Sequence, residues 1–433
     1  MNKTYKKILI INSTQIGSNS GTGNTLKNIF NLIPNDKLLQ IIIHPLEKNN
    51  HSNINTIIFG TEVLGLTGFI SKIIHKNAIN VSSSNVKTQN NCINIPKKSF
   101  KHKLKEMFSG ILDSLPLFYE EIFKEVEKFK PDVIYTCAAS IPIMKTALKI
   151  SKKYNIPIVV HLMDDWPETI YTSSILSKPS RLYALYLLKK IFRMSSINFV
   201  ISEALGMKYK KIYGINYCVL MNPVVVNEIE PTVDKNVISF LYAGSLGLKR
   251  DESLIKICKA IKILNNQGYN CKIDLYIPKT QNIEEIRTKF LEFDVTFHNY
   301  VPADKTRQLY RKYDVLVFSE SFDKKLTLFT KYSLSTKIPE YLSSGRPILA
   351  FIPENLYSSY YLKENNAAVV ANNENELLLC CKKMLDDKKF CNEISNNGYV
   401  LVKKNHSIES AKRKLDMVFE LKNKNIFEGK TSE

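Results

Sequence analysis

The residues best suited to chemistry lie in the second half of the chain, in the segment Lys331–Ala350 (KYSLSTKIPEYLSSGRPILA). It begins with hydroxyl-bearing residues, continues as a short helix with Pro339 in its first turn, and ends in a buried strand. Ser335 and Thr336 stand just before this helix, where free backbone N–H groups and the helix dipole favour an anion. Glu340 lies in the first turn, where a carboxylate either suits the dipole or accepts hydrogen bonds from the vicinal hydroxyls of a ribose. Spacing alone leaves both interpretations open.

A second candidate site lies in the segment Leu241–Leu254 (LYAGSLGLKRDESL). A strand, a turn with Gly244 and Gly247, and then a helix place backbone N–H groups where they can bind a phosphate. Lys249 and Arg250 follow the turn. A guanidinium can grip a diphosphate with two hydrogen bonds, whereas on a solvated loop both residues would be ordinary surface charges.

The first half of the chain has a glycine-containing turn at Ile16–Gly23 (IGSNSGTG), between a strand and a helix that opens near Asn24. Gly17, Gly21 and Gly23 permit a close approach of the backbone to a ligand. The turn is not GxGxxG and has no Walker lysine, so neither dinucleotide nor ATP binding is indicated.

The segment His161–Pro167 (HLMDDWP) ends a buried strand and contains Trp166, the one tryptophan of the chain. His161, Asp164 and Asp165 are suited to hydrogen bonding with hydroxyl groups or to general-base chemistry. The alternative is a simple strand-end turn with Trp166 packed in the core. The two aspartates are adjacent and do not form an Asp-x-Asp motif, so no metal is implied.

The chain has 433 residues, and 61 Lys and Arg against 41 Asp and Glu give a net charge of +20. A hydrophobic fraction of 44% excludes a disordered chain, and the length indicates two domains. The charge suits nucleic acid, an anionic membrane or an anionic substrate, but a chain rich in Lys, Asn and Ile throughout explains it as well. No aromatic-interleaved basic strand or recognition-helix motif is present, so nucleic acid is not indicated.

One basic segment, Lys97–Lys105 (KKSFKHKLK), favours contact with an anionic membrane surface, because Phe100 and Leu104 are interspersed among its lysines. The lysines concerned are Lys97, Lys98, Lys101, Lys103 and Lys105, and a solvated loop is the alternative. No segment has the ~18 apolar residues of a membrane-spanning helix, and the eight cysteines form no CxxC pair. We therefore expect a cytoplasmic protein with free thiols and no zinc site, peripheral at most on the inner face of the plasma membrane.

Short apolar runs alternate with helical stretches, which is typical of parallel sheets covered on both faces. Strands are predicted in the first half at Lys7–Ile11, Leu38–His44, Asp132–Ala139, Ile156–Leu162, Asn198–Ser202 and Tyr217–Met221. Strands are predicted in the second half at Val237–Ala243, Lys272–Ile277, Val295–His298, Val315–Ser319 and Ile348–Phe351. Each half is therefore predicted to be a doubly wound, Rossmann-like α/β domain that binds ligands at the carboxyl ends of its strands.

The predicted boundaries give an N-terminal domain over residues 1–222 and a linker over residues 223–236, which is rich in prolines and acids. A C-terminal domain follows over residues 237–406, and residues 407–433 contain a last amphipathic helix. A further helix is predicted at Leu115–Phe129.

The segment around Glu340 resembles the donor-binding signature of the GT-B glycosyltransferases of the group 1, or family 4, type. In that family a Glu, seven residues and a second Glu are followed by a turn of small residues and a buried strand. Glu340 matches the second Glu, which holds the ribose of the nucleotide sugar, whereas Tyr332 replaces the first Glu, which contacts the transferred sugar. The resemblance is strong from about residue 237 to residue 371 and loose from residue 5 to residue 222.

The resemblance implies a donor site in the C-terminal domain, with Ser335 and Thr336 facing the diphosphate. Arg250 matches a lysine of the family, and Ser245 stands where the family has an arginine. The implied donor-binding residues are Gly244, Ser245, Lys249, Arg250, Tyr300, Val301, Tyr332, Ser335, Thr336, Lys337 and Glu340, of which Tyr300 and Val301 face the base.

For the N-terminal domain the resemblance implies acceptor binding, with the last helix of the chain crossing back to it. The glycine turn with Gly17, Gly21 and Gly23 is similar to the family's loop that approaches the sugar and diphosphate. The segment from His161 resembles the family's "HD…WP" stretch, in which the aspartates orient acceptor hydroxyls and the histidine contacts the donor sugar. The implied catalytic residues are His161, Asp164, Asp165 and Arg250.

The resemblance as a whole implies two Rossmann-like domains facing a central cleft and a metal-independent glycosyltransferase without a cofactor. It would move a sugar, with retention, from a nucleotide-diphosphate sugar to a saccharide or lipid-linked acceptor in bacterial cell-surface polysaccharide synthesis. One alternative is a nucleotide-sugar 2-epimerase of the same fold, which would need more histidines and carboxylates than a chain with seven histidines offers. The other is a degenerate binding subunit, suggested by Tyr332 and Ser245.

Overall fold

The computed structural model describes residues 4–18, 20–43, 54–65, 100–172, 174–195, 197–226, 228, 236–278, 283–299, 301 and 303–421. These residues divide into two compact units. Unit 1 contains the described residues up to Leu220 and the segment from Ala411 onward, and unit 2 contains Met221–Ser410.

Unit 1 is built on a parallel sheet whose five inner strands are buried, as expected when helices cover both faces. Its strands are β1 Ile8–Asn12, β2 Leu38–Ile43, β3 Asn55–Phe59, β4 Val133–Thr136, β5 Ile158–Leu162, β6 Asn198–Val200 and β7 Tyr217–Val219. Among the described residues they form a seven-stranded sheet in the order β3-β2-β1-β4-β5-β6-β7.

The helices that accompany this sheet are Gly21–Phe30, Thr61–Leu64, Phe100–Ser114, Glu120–Phe129, Ile141–Tyr154, Trp166–Thr169, Lys178–Met194, Glu203–Tyr213 and Ile408–Phe419. The prediction of a helix over Leu115–Phe129 was wrong in its first part, because the chain is not helical from Leu115 to Tyr119. Pro116 lies in this break, and a proline lacks the N–H that a continuing helix would need.

The last helix, Ile408–Phe419, is fastened to the beginning of the chain. The Lys6 N–H donates to the Phe419 carbonyl over 2.9 Å, and the Tyr5 hydroxyl donates to Asp416 Oδ1 over 2.6 Å. The Phe419 ring packs 6.0 Å from the ring of Phe199 in β6. The two ends of the chain therefore share the core of unit 1.

Unit 2 has a second parallel sheet, with β8 Ile238–Ala243, β9 Cys271–Ile277, β10 Val295–Asn299, β11 Val315–Ser319, β12 Ile348–Phe351 and β13 Val369–Ala371. Its described strands form a six-stranded sheet in the order β10-β9-β8-β11-β12-β13. Its helices are Arg250–Asn266, Ile283–Thr288, Ala303–Tyr310, Thr327–Thr330, Lys337–Leu342, Tyr357–Glu364, Glu374–Asp386 and Lys388–Asn405. β3 and β13 are not among the predicted strands, and both lie at sheet edges.

Both sheets confirm the predicted doubly wound α/β class. In each sheet the chain order reverses at one switch point, between β1 and β4 in unit 1 and between β8 and β11 in unit 2. Loops that leave the two strands at a switch point turn to opposite faces, which opens a crevice at the carboxyl edge of the sheet. Among the helices described for this chain, none combines the length and apolar character required to cross a membrane.

Candidate functional site

At the switch point of unit 2, Arg250 and Glu320 form an ion pair with two parallel hydrogen bonds. Arg250 begins the helix Arg250–Asn266 after β8, and Glu320 directly follows β11. Arg250 Nε donates to Glu320 Oε2 over 3.0 Å, and Nη2 donates to Oε1 over 3.1 Å. The Glu320 side chain is 5% exposed, and its backbone carbonyl accepts a hydrogen bond of 2.8 Å from Ser253 Oγ. The guanidinium is therefore held in one orientation, while Nη1 makes a weak contact of 3.5 Å with the Gly247 carbonyl.

A second cation, Lys337, lies beside this pair. Its Nζ is 4.5 Å from the ring centre of Tyr242 and 3.4 Å from the Tyr242 hydroxyl. A Cβ at position 244 would collide with this ammonium group, so Gly244 is required for close packing of the lysine on the end of β8. Burial and the nearby charge of Arg250 lower the pKa of Lys337 to about 7. A bound anion would favour its protonated form.

Glu340 lies in the first turn of the helix Lys337–Leu342. The next residue, Tyr341, joins this helix to the end of β8, because its hydroxyl accepts a hydrogen bond of 3.2 Å from the Ala243 N–H. Glu340 Oε2 accepts a long hydrogen bond of 3.3 Å from the Tyr310 hydroxyl, and burial raises the pKa of Glu340. A carboxylate with so weak a partner can accept further hydrogen bonds, as the ribose interpretation requires.

The turn after β8 offers the site fewer groups that could bind a ligand. Ser245 Oγ accepts from the Gly247 N–H over 3.1 Å, and the Ser245 carbonyl accepts from the Tyr242 hydroxyl over 2.7 Å. The Lys249 side chain is 50% exposed, and its Nζ lies 3.0 Å from Asp323 Oδ2. This contact matches the surface-charge interpretation of Lys249.

Ser335 and Thr336 precede the helix Lys337–Leu342, as predicted. Ser335 accepts from the first helical N–H groups, since its Oγ lies 3.4 Å from the amide nitrogen of Lys337 and its carbonyl lies 3.0 Å from that of Ile338. Ser335 therefore helps to begin the helix. The predicted contact of these two residues with a diphosphate stays a prediction.

The remaining predicted donor residues are placed as follows. Tyr332 is half-buried, and Lys331 Nζ lies 5.3 Å from its ring centre. Val301 is half-buried and follows β10, whereas Tyr300 lies outside the described residues.

Unit 1 has a pocket at its own switch point, at the carboxyl ends of β1, β4 and β5. It is lined by Asn12, Ser13, Thr14, Thr22, Cys137, Ala139, Ile143, Met163, Asp164 and Trp166. The pocket therefore combines hydroxyl, amide and carboxylate groups with an apolar wall, which is typical of small-molecule sites.

The two adjacent aspartates have different surroundings. Asp164 lines the pocket, and its side chain is reached by solvent. Protein atoms nevertheless surround it closely. This burial, with a smaller effect from the charge of Asp165, raises the pKa of Asp164 to about 6. Asp165 is buried, with Oδ2 2.7 Å from Lys208 Nζ and Oδ1 accepting a hydrogen bond of 2.8 Å from the Tyr209 hydroxyl. The contacts of Asp165 fit a structural role, and Asp164 is the one of the two that faces a ligand space.

The prediction that His161 contacts a substrate is corrected by the structure. Its side chain in β5 is fully buried, with Nδ1 2.6 Å from the Tyr135 hydroxyl and Nε2 3.0 Å from the Leu220 carbonyl. Because a carbonyl can only accept, Nε2 carries the proton and Nδ1 accepts from Tyr135. Both ring nitrogens are thus committed to the core, and burial lowers the pKa of His161 to about 4.

The glycine turn of unit 1 packs on the helix Gly21–Phe30. Gly17 has a left-handed φ of 82°, and a Cβ at Gly23 would collide with Ser18, so both positions require glycine. A Cβ at Gly21 would meet no atom within 4 Å among the described residues. The turn is anchored by Gln40, whose Oε1 accepts from the Ile16 N–H over 3.2 Å.

Glu320, Tyr242 and Asn12 are among the residues of these sites that the sequence did not predict. Glu320 and Asn12 stand at the carboxyl ends of strands beside a switch point, and this position is the signal that could have found them. Within the described residues, no group of three His, Cys, Asp or Glu side chains is arranged to hold a metal ion.

Comparison with known proteins finds similarity in the fold of the chain. No family model matches the sequence, and no curated protein matches it. The structure is similar to Anabaena HepE in complex with UDP-glucose, with a TM-score of 0.59 and 14% identity over 95% of this chain and 98% of that chain. It is also similar to sucrose-phosphate synthase from Thermosynechococcus elongatus, with a TM-score of 0.61 and 11% identity over 95% and 98% of the two chains.

A third similar structure is a variant of S. aureus TarM in complex with fondaparinux, α-GlcNAc-glycerol and UDP. Its TM-score is 0.58, with 11% identity over 95% of this chain and 99% of that chain. Similarity of this kind over nearly the whole chain confirms the predicted GT-B fold of two Rossmann-like domains.

The buried, neutral His161 predicts a loss of stability in acid. Unfolded histidine has a pKa of about 6.5, so the unfolded chain takes up a proton between about pH 6.5 and pH 4 while folded His161 does not. Its contribution is complete above pH 6.5 and falls by as much as about 3 kcal/mol toward pH 4. Urea unfolding of wild type and His161→Gln over this range measures the effect. The difference between their free energies of unfolding should shrink as the pH falls, and parallel curves would contradict the assignment.

Proposed function

We propose that the protein is a glycosyltransferase that takes a sugar from a nucleotide-diphosphate sugar bound in unit 2. The observation that carries the proposal is the pair of cations Arg250 and Lys337 at the switch point, where doubly wound sheets bind ligands. Similar structures solved with UDP-glucose and with UDP support a uridine nucleotide as the first candidate.

In this proposal the diphosphate lies against Arg250 and Lys337. Glu320 occupies Nε and Nη2 of the guanidinium, so Nη1 is available for a phosphate oxygen. As the bond between the sugar and the diphosphate breaks, negative charge grows on the leaving oxygen. Two cations that are already in place stabilise that charge without rearrangement.

The helix Lys337–Leu342 serves the nucleoside in the same proposal. Glu340 accepts hydrogen bonds from the ribose hydroxyls, and Ser335 and Thr336 lie beside the diphosphate. Tyr341 fixes the distance between Glu340 and the end of β8, because it bonds both the helix and that strand. Tyr332 faces the transferred sugar in place of the family's first Glu.

The acceptor side is proposed to lie in unit 1, at the pocket that contains Asp164. Retention of the anomeric configuration and a role in cell-surface polysaccharide synthesis are proposed from the family resemblance. The anomer of the product, measured by NMR before it equilibrates, tests retention. Release of free sugar as its 2-epimer would instead favour the epimerase.

The donor site predicts proton uptake on binding. A diphosphate should raise the lowered pKa of Lys337, so at about pH 8 UDP binding should take up nearly one proton, and affinity should fall as the pH rises above 7. Calorimetry in two buffers of different ionisation enthalpy measures the uptake. Lys337→Met should abolish it, whereas Lys249→Met, which removes the exposed lysine of the same site, should retain it. Equal uptake by wild type and Lys337→Met would count against the site.

Because the Arg250 guanidinium is held in one orientation, even the charge-conserving substitution Arg250→Lys should lower kcat strongly. Arg250→Lys cannot keep both bonds to Glu320 and still reach a phosphate, so kcat should fall by about 10²-fold. Release of nucleoside diphosphate from a panel of UDP- and GDP-sugars measures this, and Arg287→Lys, on an exposed helix of unit 2, is the matched control.

Glu340→Ala should raise KM for the donor, and unchanged transfer would overturn the ribose assignment.

We also propose peripheral membrane binding through unit 1. The helix Lys178–Met194 has lysines and arginines but no acidic residue, and the helix Phe100–Ser114 packs against it at Gly110 and Ser180. These two helices and the short helix Ile175–Ser177, which contacts both, have exposed apolar side chains, here called the apolar patch: Phe108, Ile111, Ile175, Leu176, Leu182 and Tyr186. Ile175 is 87% exposed. An apolar surface bordered by cations suits an anionic membrane.

The lysine-rich segment predicted for membrane contact overlaps the beginning of the helix Phe100–Ser114. Lys97 and Lys98 lie outside the described residues, and Lys101, Lys103 and Lys105 belong to the helix Phe100–Ser114. Contact of these five lysines with an anionic membrane stays a prediction.

Co-sedimentation with vesicles tests the membrane proposal. Vesicles that contain phosphatidylglycerol should recover the protein, and pure phosphatidylcholine vesicles should not. The double change Ile175→Asp and Leu176→Asp should abolish recovery, because it places acids in the apolar patch. The matched control, Leu379→Asp with Val400→Asp, alters equally exposed apolar residues of unit 2 and should leave binding unchanged. Equal recovery with both vesicle types would contradict the proposal.

A further inference from the structure

The pocket of unit 1 contains hydrogen-bonding groups that the fold itself does not use. Asn12 ends β1 and is 2% exposed, and its Oδ1 accepts a hydrogen bond of 2.9 Å from the Cys137 N–H. Because an N–H must point to the oxygen, this bond fixes which end of the amide is Nδ2. Nδ2 is buried without a hydrogen-bond partner in the part of the chain that the structure describes.

Trp166 adds a second unused donor. It lines the same pocket, and its Nε1 is likewise buried without a hydrogen-bond partner among the described residues. A buried donor without a partner has lost its hydrogen bond to water, so a ligand oxygen that satisfies it gains affinity. The two donors therefore favour a ligand with several oxygen atoms.

Hydrogen bonds between neighbouring strand ends support the wall of the pocket that carries Asn12. Thr136 Oγ1 donates to the Ile11 carbonyl over 2.8 Å and accepts from the Ala138 N–H over 3.0 Å. Ala138 has a left-handed φ of 51°, a conformation that an alanine adopts only when its surroundings impose it. Asn12 is thus presented to the pocket by a framework that is set before any ligand binds.

The charge of the pocket selects among oxygen-rich ligands. Asp164 is its one ionisable carboxylate, and no lysine or arginine belongs to the lining among the described residues. A carboxylate accepts hydrogen bonds from hydroxyl groups and repels a phosphate or a second carboxylate. The apolar face of Trp166 and the side chains of Ile143 and Met163 suit the C–H face of a sugar ring.

From these features we infer that the unit 1 pocket binds the uncharged, hydroxyl-bearing sugar ring of the acceptor and excludes anionic sugars. Asn12 Nδ2 and Trp166 Nε1 donate to ring substituents, and Asp164 accepts from a hydroxyl. The word "acceptor" rests on the proposed function, but the selection of a neutral sugar rests on the pocket alone. Asn12 and Trp166 are the specificity-determining residues of this pocket, and the negative charge of Asp164 excludes anionic sugars.

Because Trp166 is the one tryptophan of the chain, tryptophan emission reports on this pocket alone. The full-length protein is titrated with neutral methyl glycosides of glucose, galactose and N-acetylglucosamine, and with glucuronic acid and glucose 6-phosphate. The titrations are done at about pH 8, where Asp164 is ionised. At least one neutral sugar should change the emission saturably, and the anionic sugars should bind at least about tenfold more weakly.

Two variants separate the parts of the inference. Asp164→Asn removes the negative charge, so the preference for neutral over anionic sugars should fall to about twofold or less. Asn12→Asp keeps the oxygen that binds the Cys137 N–H but replaces the donor, so neutral sugars should bind at least about tenfold more weakly. Circular dichroism and thermal unfolding show whether each variant is folded, and Asn12→Ser provides a smaller replacement if Asn12→Asp is not.

The donor site supplies the control that separates this inference from the proposed function. Glu340→Ala and Arg250→Lys alter unit 2 and should leave the sugar titration unchanged. Failure of UDP to bind would sink the proposed function without affecting the titration. The inference is overturned if no neutral sugar gives a saturable change, if anionic sugars bind wild type equally well, or if Asp164→Asn leaves the preference intact.

Discussion

The ion pair between Arg250 and Glu320 determines the character of the site in unit 2. The carboxylate is buried at the end of β11 and offsets the charge of Arg250. Burial and the remaining effect of Arg250 still lower the pKa of Lys337 to about 7. Near neutral pH the charges of Arg250 and Glu320 therefore cancel, and Lys337 is only partly protonated. In the proposed function, a bound diphosphate supplies the negative charge that stabilises protonated Lys337, so the protein groups of the site gain positive charge as the ligand binds.

The same topological rule produces a different environment in unit 1. Both sites lie where the chain order of a parallel sheet reverses, but the pocket of unit 1 presents Asn12, Trp166 and Asp164 in place of two cations. A switch point thus provides space at the carboxyl edge of the sheet, and the residues at the strand ends decide which charge that space accepts. The contrast in charge is the physical basis of the proposals that one unit binds an anionic donor and the other a neutral sugar.

Much of the unit 2 site could be predicted, because strand, glycine turn and helix follow each other closely in the sequence. Gly244, Arg250 and Glu340 are examples, since each stands at the end of a strand or the start of a helix. His161 was misjudged for an identifiable reason. β5 is buried on both faces and lacks the polar–apolar alternation that would show whether a side chain points to a ligand or into the core. The sequence likewise could not separate Asp164 from Asp165, whose difference is the presence of Lys208 and Tyr209 around one of them.

By itself, the sequence determined the alternation of strands and helices, the doubly wound class and the positions where only glycine fits, because these follow from local periodicity and from backbone geometry. Only the tertiary structure decided which residues form hydrogen bonds and ion pairs with each other. Arg250 and Glu320 are 70 residues apart, and Asn12 and Cys137 are 125 residues apart. Such pairs are set by strand order and register, which arise from the packing of the whole sheet. For that reason the unused amide of Asn12, the pairing of Arg250 and the burial of His161 are properties of the folded chain and of no segment within it.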